Sequence, residues 1–188
     1  MDYAAPPPGA DPGVQDYSNP EWMAAKRGLV TYRKALIARI ILGIVGGVVI
    51  GVMSAGAGLG DLDALLWLTF IIAAASVLLT AWAVYGLLNY SKVPAETGAR
   101  GLATAAMVIS ALGLLVELYV AYVLARLVFG GFDSLGDLVA LGDNSFELFA
   151  RLGNLIGFIC LIVSLKKVAS HVGAIHVVDM ISSFVVMV

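Results

Sequence analysis

Ile40 to Ala57 runs without a charged side chain, and so does Ala64 to Leu88, while Leu102 to Val128 admits only Glu117 and, near its end, Arg126. Nothing else restricts the fold as much. A helix needs about 20 predominantly apolar residues to cross a hydrocarbon core, and inside lipid only helices or closed barrels satisfy the backbone. A fourth run, Leu148 to Leu165, is interrupted by Arg151 and stopped by Lys166 and Lys167. It is counted as a span because long basic side chains snorkel from helix ends to the headgroups. A composition of 61% hydrophobic and 13% charged residues, with a mean hydropathy of +0.97, lies far outside the soluble range.

The expected fold class is therefore all-α, an integral membrane helical bundle. Its four transmembrane helices lie over about 40–57, 64–88, 102–128 and 148–165, with an N-terminal amphipathic helix and a C-terminal interfacial or partial fifth helix. Residues 40–171 form the transmembrane domain. The first run is no cleaved signal peptide, because a polar stretch of nearly forty residues precedes it. Lys26, Arg27, Arg33, Lys34 and Arg39 precede the first span, Lys92 and Arg100 separate the second from the third, and Lys166 and Lys167 follow the fourth. Asp61 and Asp63, then Asp133, Asp137, Asp143 and Glu147, occupy the opposite connections. The positive-inside rule then places both termini in the cytoplasm, in the inner membrane if the source is bacterial.

Residues 1–19, rich in proline and small side chains, read as a disordered cytoplasmic tail. Residues 20–39 read as a basic amphipathic juxtamembrane helix. Asn19 before Pro20 suits a cap and first helical position, and Trp22, Ala25, Leu29, Tyr32 and Leu36 share one face. With Lys26, Arg27, Arg33 and Lys34 on the rest, such a helix either lies in the headgroup layer, indole anchored and anionic lipid attracted, or simply sets the topology.

Gly43, Gly47, Gly51 and Ala55 advance four residues at a time and form a nearly straight groove along the first span. Between helices in lipid, close contact across small residues is a principal source of association. Gly153 and Gly157 repeat the spacing in the fourth span. The groove is expected to receive another helix of the same chain or, alternatively, a second copy or another membrane protein.

Glu117 is the one acidic residue well inside a span. Ala106, Ser110, Gly113 and Ala121 share its face, which turns it toward the bundle. A carboxylate facing lipid at mid-depth would cost several kcal/mol. Asn154 and Tyr122 are the candidate neighbours, and Arg126 is too far along the same helix for direct contact. Two readings compete: an acid that ties helices together, or a proton- or cation-exchanging site.

Little else carries chemistry. Cys160 is the only cysteine, so no internal disulfide forms. His171 and His176 are five apart and diverge on a helix, although His176 and Asp179 share a face. No metal site and no cofactor is expected. No nucleophile elbow, phosphate loop or dinucleotide motif is present, and a net charge of −2 with no broad basic face argues against nucleic acid. Leu59 to Leu65 and Leu135 to Leu141 differ at one position, which would fit two helical hairpins in parallel orientation, but the spans do not align at that offset. Residues 172–188 are apolar again and read as a surface helix, a re-entrant piece or the start of a fifth span. Composition and pattern thus point to a non-catalytic structural or accessory membrane protein acting through small-residue packing. The alternative is a small proton- or cation-linked transporter or channel using Glu117.

Overall fold

The computed structural model describes residues 19–56, 62–130 and 144–174, except for the side chains of 62, 144–151 and 154. Within that compass the chain is helical apart from short turns at 91–94, 98–99 and 172–174. The helices are α1 (Pro20–Gly56), α2 (Leu62–Tyr90), α3 (Arg100–Gly130) and α4 (Asn144–His171), with a 3-10 turn at Ala95–Thr97 between α2 and α3. Helices α1, α2 and α3 are each long and apolar enough to cross a membrane. Residues 1–18, 57–61, 131–143 and 175–188 lie outside the described residues, and with them most of the tail, Asp61, Asp133, Asp137, Asp143, His176, Asp179 and the second leucine motif. Asp63 and Glu147, expected in the acidic connections, instead belong to α2 and α4, because each helix starts before the apolar run that marks it in the sequence.

Helix α1 begins where the Asn–Pro pair predicts. Asn19 Oδ1 accepts from the Glu21 backbone N–H at 2.9 Å, and Pro20 supplies a first helical residue that lacks a donor. The basic segment 20–39 is helical and runs into the first apolar run without a break: α1 continues for 37 residues, about 55 Å at 1.5 Å per residue. No proline or capping signal interrupts it between Pro20 and Gly56. About 25 Å of it exceeds a hydrocarbon core of about 30 Å.

Successive helices run antiparallel, each packed on its sequence neighbours. The tightest core gathers at the end that holds the start of α1, the end of α2, the start of α3 and the end of α4. Ala25, Leu87, Tyr90, Val93, Ala99, Ala103, Ala106 and Leu161 are buried there, with Trp22, Leu29 and Tyr32 packed against them. The apolar face of the basic segment, one of whose two expected placements was the headgroup layer, is turned onto the chain itself, while Lys26, Arg27, Arg33 and Lys34 remain exposed. Covering that face against the core that includes Leu87 and Tyr90 removes its apolar area from the surface.

Polar links close this end. Ser164, fully buried, donates to the Ala99 carbonyl at 3.3 Å and lies 3.1 Å from the Tyr90 hydroxyl, so α4 is tied to α2 and to the connection after it. Thr97 Oγ1 donates to the Pro94 carbonyl at 2.7 Å and accepts from the Ala99 N–H at 3.1 Å. Gly98, at φ +62°, makes the left-handed step that ends the 3-10 turn, and Lys167 Nζ donates to its carbonyl at 3.2 Å. At the opposite end Trp67, Phe70 and Phe129 meet edge to face at centroid distances of 5.2 to 6.2 Å. An aromatic cluster at a span end is what the membrane interface favours.

Candidate functional site

The α1–α2 seam decides the depth of every polar group in the bundle. A Cβ built on Gly28 would stand 2.4 Å from the Tyr90 nitrogen and 2.5 Å from the Gly86 carbonyl oxygen; one built on Gly86 would stand 2.6 Å from the Tyr32 nitrogen. Backbone meets backbone here, so only glycine fits at either position. Farther along the seam Gly46 receives the Ile72 side chain, with its Cβ position 3.0 Å from Ile72 Cδ1.

That register lowers Arg39 into the apolar stretch. Counted from the charge pattern alone, Arg39 is the last flanking cation before the first span; in the fold it forms an ion pair and hydrogen bond with Glu117 of α3. Thr80 Oγ1 of α2 donates to the other carboxylate oxygen at 2.7 Å, and Ser76 Oγ approaches that oxygen at 3.4 Å. Thr80 lies roughly 13 Å along the axis from Asn89, where the uncharged run of α2 ends. Three side chains from two helices therefore converge on the one carboxylate of α3, which is the condition for keeping a charge pair out of water.

Beside this cluster is a cavity of ≈ 300 Å³ where the four helices face one another, lined by Arg39, Thr80, Leu36, Ser110, Phe158 and Leu161 among others. Of the neighbours expected for Glu117, Tyr122 is exposed at 58% on another face of α3, and the side chain of Asn154 lies outside the described residues. Arg39, Ser76 and Thr80 take those places. Ser76 and Thr80, hydroxyls four apart in an otherwise apolar uncharged span, were the available signal for a polar face on α2.

The glycine groove is placed differently from its expected in-chain partners. Among the described residues no atom comes within 4 Å of a Cβ built at Gly43, Gly47 or Gly51, and Ala55 is exposed. Gly153 and Gly157 face α3, their Cβ positions 4.0 and 3.1 Å from Ile109 Cγ2. At the start of the bundle the Trp22 and His171 rings stack at 6.5 Å. Among the described residues no cluster of three metal-ligating side chains occurs.

Comparison with protein-family models, with curated proteins and with solved structures returns no match.

Proposed function

We propose that this chain is a non-catalytic accessory or structural component of a membrane, a bundle in which α4 also spans and both termini face the cytoplasm. The observation that carries the reading is the saturation of Glu117. Its carboxylate is taken up by Arg39, Thr80 and Ser76, so it is engaged as an interhelical tie and is not held free for a travelling ion. The small-residue face of α1 then supplies a surface for a second copy or another membrane protein, because close helix contact is what drives association in lipid.

The experiment is Gly47→Leu in the full chain. No atom of the described chain borders that position, so the bundle's own thermal midpoint is expected to stay unchanged. Association in mild detergent or nanodiscs is expected to weaken roughly tenfold or more, the cost of forcing a large side chain into a close helix contact. Unchanged association would remove the groove from the proposal.

The cavity beside Arg39 and Thr80 supports a second reading, a small proton- or cation-linked transporter or channel. In proteoliposomes that reading requires flux which Glu117→Gln abolishes. The accessory reading expects no flux above empty vesicles from either protein.

A further inference from the structure

We infer that the cleft between the first turns of α1 and the last turns of α2 is a binding site for an anionic phospholipid, its headgroup phosphate held by Lys26 and Arg27. The cleft measures ≈ 660 Å³ and is lined by Met23, Lys26, Arg27 and Val30 of α1 and by Tyr85 and Asn89 of α2, among others. None of its lining residues is acidic. Among the described residues no carboxylate pairs with Lys26 or Arg27, whereas Arg39 has Glu117. Other basic residues of this end lack a carboxylate partner as well; Lys26 and Arg27 are the two that line this cleft and can meet an anion inside it. The Gly28–Gly86 contact sets their depth: it brings this part of α1 level with Asn89, where the uncharged run of α2 ends and headgroups begin.

The apolar half of the site distinguishes a lipid from a free anion. Below the cations Val30, Ile37 and Ile44 recur every seven residues along α1, each 46 to 63% exposed, and Met23 continues the same face above them. On α2 Ile71, Leu78 and Tyr85 recur with the same period, each 57 to 72% exposed. Seven residues are close to two turns, so each set keeps to one face of its helix. Phosphate at the level of Lys26 and Arg27, with acyl chains running down these faces, matches both the charge and the apolar surface. The Asn89 side chain, which donates to the Tyr85 carbonyl at 3.2 Å and accepts from Lys92 Nζ at 3.2 Å, forms the polar floor between them.

The inference rests on the membrane-bundle reading, and the test separates the two. The full chain is reconstituted in phosphatidylcholine vesicles containing phosphatidylglycerol, and flotation with the vesicles checks the membrane reading first; a chain that stays behind overturns both. The protein is then extracted in mild detergent and its retained lipid is measured by native mass spectrometry. Phosphatidylglycerol is expected to be enriched over its share of the vesicle. Lys26→Gln with Arg27→Gln is expected to weaken retention roughly thirtyfold, from about fivefold for each basic side chain at a membrane surface. Arg100→Gln with Lys166→Gln, which removes the same charge from the same end of the bundle, is expected to leave the enrichment in place. Equal loss in both double variants would show diffuse surface charge and overturn the site, as would absence of enrichment in the parent chain. Displacement of the lipid by inorganic phosphate would mark a free-anion site and overturn the lipid assignment.

Discussion

Gly86→Ala is expected to destabilise the bundle by about 3 kcal/mol, the upper part of the range for overpacking a close contact. The added methyl would meet the Tyr32 nitrogen at 2.6 Å, the Gly28 carbonyl oxygen at 2.9 Å and the Tyr32 Cα at 3.0 Å. All are backbone atoms, so no side chain can turn away. The two helices must separate, and Leu29 and Tyr32 then lose their packing on Leu87 and Tyr90. Gly47→Ala is the matched control, because it adds the same methyl to the same helix pair with no atom of the described chain within 4 Å. It should be neutral or stabilise by up to about 1 kcal/mol through helix propensity. Thermal unfolding of the two purified variants in one detergent reads the difference, and equal midpoints would remove the seam as the organising contact.

Removing one partner of the Arg39–Glu117 pair should cost nearly as much. Glu117→Ala leaves a guanidinium inside the apolar stretch with no counter-charge, and a loss of about 3 kcal/mol is expected. The estimate sits at the low end for buried pairs because the Arg39 and Glu117 side chains remain 38% and 22% exposed. Replacing both, as Arg39→Leu with Glu117→Leu, should recover all but about 1 kcal/mol, since two leucines suit lipid and Thr80 can donate to the carbonyl one turn back instead. A double-mutant cycle on the unfolding free energy measures the coupling. Additive losses would show that the pair does not act as a unit.

Most of the architecture was legible, and particular residues show why the remainder was not. Apolar runs announced four spans, of which three are helices long and apolar enough to cross a membrane, and Asn19–Pro20 announced where the first begins. The small residues beside Glu117 announced that it faces inward, and it does meet α1 and α2. Arg39 escaped notice as its partner because a cation next to an apolar run counts as a flank until the depth of its helix is known. Gly28 and Gly86 escaped because neither belongs to a repeated small-residue spacing, whereas Gly43, Gly47 and Gly51 do and border no described atom. Ala25 and Ala35, buried on the same side of α1 as Gly28, were the weak signal that this face meets another helix.

Composition and periodicity by themselves determined that this chain is helical and apolar enough for a membrane, because those properties depend on transfer free energies and on satisfying the backbone inside one helix. Only the tertiary structure decided which glycines are load points and which cation neutralises Glu117. The physical reason is register. Two antiparallel helices can slide past each other by a turn without changing any sequence pattern, and the contact between Gly28 and Gly86 selects one position from that series.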